Sequence, residues 1–138
     1  MIPWGPLASG WLSGRFRKGV ETTSRRAERI PARFDLLLPE NQRKLDIVEQ
    51  LATLAQEADL TLIDLALAFV LRHPAVTAPI IGPRTMEHLE SHIGATDIRL
   101  TDDVLDRIDE LVPPGTNLNT FDAGWTPPAL ADRRLRRR

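Results

Sequence analysis

The chain has 138 residues, 27% of them charged, and a formal net charge of −1. That is the length of one domain, and so even a balance gives no overall field toward nucleic acid or an anionic membrane. Cysteine is absent, which excludes disulfides, thiolate nucleophiles and cysteine-type zinc sites, and no run of about 20 apolar residues is present to span a bilayer.

Charge is nevertheless uneven. Arg15, Arg17, Lys18, Arg25, Arg26, Arg29 and Arg33 crowd the first quarter, and Arg133, Arg134, Arg136, Arg137 and Arg138 close the chain. Both clusters read as solvated: a loop and a frayed tail. The start, MIPWGPLASG, lacks the basic and long apolar regions of a signal peptide, so a cytoplasmic protein is expected.

In chain order, residues 1–14 give a short apolar piece, Ile2-Pro3-Trp4, followed by a loop dense in Gly, Pro and Ser. Residues 15–38 carry no sustained periodicity and read as a long polar excursion. Residues 39–111 hold the regular structure. From about Pro39, Leu45, Val48, Leu51, Leu54, Ala55 and Ala58 recur at three and four, which predicts one amphipathic helix. Thr61, with Asp64 three residues on, predicts a capping box opening a helix over about Leu62–Arg72. That helix is apolar on most of its surface, so burial on nearly all sides is expected.

His73-Pro74 stops it, and Val76–Ile81 reads as a short buried strand ending at Gly82. Thr85 predicts the cap of a helix over about Met86–Ile93, with Gly94 as its C′ residue. Thr101 caps another, its first turn acidic at Asp102 and Asp103, and Pro113-Pro114 ends it. Residues 112–138 look like a tail anchored by Trp125 and Pro127-Pro128. Strand, helices, strand, helix is the grammar of α/β proteins with parallel strands, yet two strands are too few to cover these helices. The chain therefore reads as part of a larger fold, its lone strand pair open at both edges.

Two places offer chemistry. At Gly82-Pro83-Arg84-Thr85 a helix amino end presents free N–H groups and about half a positive charge, beside a guanidinium suited to phosphate. An ordinary N-cap with a solvated arginine explains the same residues. The glycines at 5, 10 and 14, with Ser9 and Ser13, make a loop whose N–H groups can turn toward phosphate oxygens. His88 and His92 share a helix face at the spacing of a metal pair, but His73 is the remaining histidine and no cysteine is available. They read instead as surface histidines or as contacts to a ligand's flat ring, and no metal site is expected. With no tyrosine or cysteine, and Lys18 and Lys44 in polar surroundings, no catalytic constellation is found.

Together the two places carry a likeness. PWGPLASGWLSGRF resembles the loop after barrel strand seven in aldo-keto reductases. LALAFVLRHPAVTAPIIGPRTMEHLESHIGA resembles the stretch through strand eight and the cofactor helix after it. DIRLTDDVLDRIDEL is similar to the acidic-capped helix that follows. The branch most resembled includes aryl-alcohol dehydrogenase-like and general-stress reductases, and the likeness runs from residue 2 to about 128.

The resemblance implies an α/β fold, the C-terminal fragment of a (β/α)₈ barrel, mostly helical with about two parallel strands; whole barrels need about 250 residues. It implies NADPH, bound without a Gly-rich Rossmann turn, and the reduction of aldehydes and ketones. Arg84 and Thr85 would then meet the adenosine 2′-phosphate, with strand eight ending beside the cofactor at Ile81 and Gly82. His88 and His92 fall where the family usually places Gln and Asn against the adenine, and Ser91 where it has Glu. Gly5, Pro6, Leu7, Ser9, Gly10 and Arg15 would follow the pyrophosphate.

Gly5 stands for a usual Ser and Arg15 for a usual Lys, which keeps the charge but changes its geometry. The family's Asp, Tyr, Lys and His tetrad comes from the first half of the barrel, and this chain has no tyrosine. The expectation is a C-terminal, NADP(H)-binding part of a reductase, inactive alone and separated from its catalytic half by a frameshift, a late start or a gene break. The alternative is a short binding or regulatory subunit that completes a barrel with a partner chain carrying strands one to six. A carbonyl substrate is expected only if the missing half is supplied, and neither nucleic acid nor membrane is expected as a partner.

Overall fold

A computed structural model of the chain describes residues 1–122 and residue 124. Among these residues five α-helices carry the architecture: α1 Arg25–Arg29, α2 Pro39–Glu57, α3 Leu62–Arg72, α4 Met86–Ile93 and α5 Asp102–Leu111. Short 3₁₀ turns at Ala8–Ser13, Pro31–Arg33, Gly94–Asp97 and Thr120–Asp122 link or end them.

The helices start where the side chains dictate. Pro39 opens α2 at a position whose N–H has no helical partner anyway. A left-handed residue, Asp59 (φ 56°), ends it. There the Leu60 N–H reaches the Ala55 carbonyl at 2.9 Å and the Asp59 N–H reaches Gln56 at 3.1 Å, a Schellman ending with Asp in the place usually taken by Gly. Two residues on, Thr61 and Asp64 form the expected reciprocal capping box of α3. So short a connection folds α3 back onto α2.

Val48, Leu54 and Ala55 of α2 meet Leu62, Leu65 and Ala68 of α3, and Leu100, just before α5, and Ile108 of α5 join the same core. Leu54 and Leu67 are each 1% exposed, and each such leucine contributes about 2 kcal/mol by leaving water. At the other end of this core stand three rings. Trp11 stacks on Phe34 at 5.6 Å with 2° between planes, and Phe16 lies 4.8 Å from Trp11 and 5.3 Å from Phe34.

Five expectations need correction. The strands do not form as strands: Trp4 and Ile80 make an isolated parallel bridge, with Ile80 N–H to Pro3 O at 2.8 Å and Thr77 N–H to Met1 O at 2.9 Å. A pair with no further strand on either edge has too little cross-strand burial to propagate. The α3 helix is not buried all round, because Phe69 is 41% exposed and Ile63 and Val70 are half-buried. Gly94 is right-handed (φ −55°), not a left-handed C′ residue, since the chain tightens directly into the Gly94–Asp97 turn.

The excursion at 15–38 is anchored: Phe16 and Phe34 are buried, and Ser24 caps α1. Finally, Lys44, expected in polar surroundings, is 6% exposed, and Asn119, in the segment after α5, is 2% exposed. The expected anchors Trp125, Pro127 and Pro128 lie outside the described residues. No helix among the described residues is long and apolar enough to cross a membrane.

Candidate functional site

The bridge decides where the site lies. Because Trp4 and Ile80 pair in parallel, the Gly5–Gly14 loop and the Gly82–Thr85 turn leave from neighbouring points at the same, carboxyl-terminal edge. In α/β proteins that edge is where ligands sit. Between the two loops opens a cavity of about 960 Å³.

The loop after Trp4 is tightly wound. Ala8 (φ 48°), Ser9 (φ 62°) and Gly10 (φ 105°) are left-handed in succession, a path in which only Gly10 is unstrained. Ala8 N–H to Gly5 O at 2.9 Å, Gly10 N–H to Leu7 O at 2.8 Å and Ser13 Oγ to Gly10 O at 2.7 Å hold it. On the opposite wall, Thr85 caps α4 by accepting the His88 N–H at 3.2 Å, which fixes the amino end of the helix beside Arg84.

Gly5, Pro6, Leu7, Ser9, Gly10, Arg15, Ile81, Gly82, Arg84, His88 and His92 all line this cavity. Thr85 and Ser91 do not: the Thr85 oxygen is engaged as the cap, and the Ser91 hydroxyl donates to His88 O at 3.0 Å. Sequence reasoning missed one wall. Ser24, Arg25, Arg26 and Arg29 also face the cavity, brought there by α1. Their signal was present: Ser24 is a good N-cap, and Arg25 and Arg29 are spaced i,i+4 on one helix face.

The electrostatics are one-sided. Among the described residues, five arginines and two histidines face the cavity and no carboxylate does. Ion pairs among the described residues engage Arg17, Lys18, Arg33, Lys44 and Arg107, and none of the cavity arginines. His92 feels the surroundings. Burial pushes its pKa below the ordinary 6.5, and the neighbouring His88 adds to the shift. Its Nδ1 is buried without a hydrogen-bond partner among the described residues. No group of three or more residues suited to a metal occurs among the described residues. The arrangement can hold a polyanion with a flat, hydrogen-bonding ring at the α4 end.

Of the aromatic residues, Trp11 is 2% exposed and packs in the core, and Phe121 is 61% exposed and off the cavity.

The pattern of the Aldo/keto reductase family matches residues 1–113, and the chain belongs to that family. It is 36% identical over 132 residues to a Bacillus subtilis protein named as an uncharacterized oxidoreductase, YrpG; the match covers 95% of this chain and 35% of that protein. It is 32% identical over 112 residues to a Schizosaccharomyces pombe protein named provisionally as a voltage-gated potassium channel subunit beta, covering 79% of this chain and 33% of the other. The chain thus spans about a third of the length of the curated relatives it matches. Family members are oxidoreductases that generally use a nicotinamide dinucleotide.

Proposed function

We propose that these 138 residues form the C-terminal, NADP(H)-binding part of a (β/α)₈ aldo-keto reductase, in a cytoplasmic setting. The observation that carries this reading is the cavity itself: among the described residues, five guanidinium groups and no carboxylate, at the carboxyl edge of the parallel pair. Arg84, at the amino end of α4, takes the adenosine 2′-phosphate, with Thr85 holding that helix end in place. Arg15 and the Gly5–Gly10 loop follow the pyrophosphate. His88 and His92 stand against the adenine, and the orphaned Nδ1 of His92 finds its partner there. The residues present therefore fit the group.

A bound dinucleotide supplies hydride to a carbonyl carbon; these residues bind and orient it. The proton donor used by the family is a tyrosine, and there is none among these 138 residues. Carbonyl reduction then requires the strands and tetrad of the other barrel half.

A second reading, a short subunit that completes a barrel with a partner chain, is favoured by the bare apolar rim: Ile2, Trp4 and Ile80 are 61%, 73% and 56% exposed. Binding by calorimetry tests the main reading. Adenosine 2′,5′-bisphosphate should bind about tenfold or more tighter than adenosine 5′-phosphate, the worth of one charge-assisted phosphate contact. Arg84→Ala should erase that difference. Equal affinity for the two nucleotides in the unaltered chain would remove the 2′-phosphate assignment.

A further inference from the structure

The cofactor reading leaves a buried cation unused. Lys44 of α2 is 6% exposed, its ammonium 4.9 Å from the centroid of the Trp11 ring. It donates to the Asp122 carboxylate and, at 3.5 Å, to Arg33 O. The second Asp122 oxygen meets Arg33 Nε at 3.3 Å, and Arg33 Nη2 donates to Phe121 O at 2.7 Å. Beside them Asn119 donates to Asn41 Oδ1 at 2.7 Å, while Asn41, fully buried, holds Ala32 O at 3.0 Å and Asp35 O at 2.9 Å. A turn near the end of the described chain is thus tied to the Pro31–Arg33 turn and to α2. Neither neighbour explains why a charge should be buried here, since an ammonium without a carboxylate is strongly unfavourable in such a place.

What lies between the tied points gives the cluster a use. Residues 17–34 cross from α2 and return to it. Their near end is held by Glu49, which accepts Arg17 Nε at 2.9 Å, Arg17 Nη2 at 2.7 Å and Lys18 N–H at 2.6 Å. Their far end is the Pro31–Arg33 turn. The middle carries α1, five residues long and too short to persist unsupported. Its Ala27 packs against the buried core, and an open depression of about 340 Å³ lined by Trp11, Phe16, Val20, Ala27 and Phe34 lies beside it. It is this α1 that brings Arg25, Arg26 and Arg29 to the cavity.

We propose that Asp122, acting through Lys44 and Arg33, is a positioning residue that fixes α1 and its three arginines at the cavity wall. Asp122 does not line the cavity. It sets the far anchor of the segment, and Lys44 passes the constraint to Trp11, whose neighbour Phe16 faces the cavity. The mechanical claim stands on the contacts alone; its meaning for affinity rests on the cofactor reading above.

Trypsin tests it in the full 138-residue chain, because Arg25, Arg26 and Arg29 are themselves cleavage sites. Arg72 and Arg107, in α3 and α5, serve as internal references. Asp122→Asn should speed cleavage at residues 25–29 about tenfold relative to Arg72 and Arg107, the loss of one charge-assisted hydrogen bond. The pair Lys44→Met with Asp122→Asn, which leaves no unpaired ammonium, should do the same and decides the matter if the single variant does not fold. Equal acceleration at all sites would mean that Asp122 only holds the fold, and an unchanged ratio would mean that it holds nothing; either overturns the proposal.

Adenosine 2′,5′-bisphosphate forms the second arm. Protection of residues 25–29 in the native chain, weakened in the paired variant, is expected. No protection of the native chain, with the ratio still raised in the variants, would keep the positioning role and remove the cofactor reading. Protection equally strong in the variants would remove the positioning role.

Discussion

Two side chains make their titration a direct check on the geometry. His92 is neutral in the fold to a lower pH than in the unfolded chain, because burial and then His88 disfavour its charge. The unfolded chain therefore takes the proton first, so this residue's contribution to stability is whole above about pH 6.5 and declines as the pH falls below it. His88→Ala should move the His92 midpoint upward, read from its imidazole proton shifts; a midpoint that stays put would mean that the two rings do not face each other. Glu49 behaves oppositely. The Arg17 hydrogen bond and the Lys18 N–H hold its carboxyl down, from 4.5 to about 2. Its anchor on residues 17 and 18 is thus complete above about pH 4.5 and lost only as the pH falls toward 2. Arg17→Met should return the carboxyl midpoint toward its ordinary value, measured by carbon-detected titration.

The elements were largely legible because their signals are local. The amphipathic repeat of α2, the box at Thr61 and Asp64, and the caps at Thr85 and Thr101 each depend on residues within one turn, and the structure has all of them. What escaped depended on distance. The burial of Lys44 is set by Asp122, 78 residues away, and no periodicity records that. The α1 helix is a single turn and a half, below the length at which a pattern can be told from chance. The α2–α3 corner offers two opposed tests of the local account. Asp59→Gly removes the strain of a left-handed non-glycine residue and should raise stability by about 1 kcal/mol. Thr61→Ala removes the cap and should lower it by about 1 kcal/mol. Urea midpoints of the two variants, one on each side of the parent, check both; shifts of the same sign would contradict the corner as described.

At the scale of the molecule, the incomplete sheet is the governing fact. Counting strands against helices led to the expectation of a part of a larger fold; among the described residues the strand pair is a single bridge. Met1, Ile2, Trp4 and Ile80 are all more than half exposed, and Phe69 is 41% exposed. Apolar surface left bare in this way favours association. The chain should therefore sediment as concentration-dependent oligomers. Ile80→Lys with Phe69→Glu should shift the distribution toward monomer in analytical ultracentrifugation, whereas a monodisperse monomer with a sharp, cooperative melt in the parent would contradict it. The cavity was half legible. Its two loops announced themselves by glycine and by a helix cap, while the arginines of α1 arrived through tertiary anchoring that no local pattern shows.

The cluster of arginines among the described residues lining the cavity has a practical side. Guanidinium groups that share one cavity repel one another, and small multivalent anions relieve that repulsion by binding. Whatever binds the folded form alone also raises its stability, by mass action. Phosphate or sulfate in a buffer would then act as a silent competitor: it would make the preparation better behaved and, at the same stroke, make every nucleotide look weaker than it is. Affinities taken in such buffers are lower bounds, and the difference between a phosphate and a chloride medium measures the field inside the cavity before any cofactor is added.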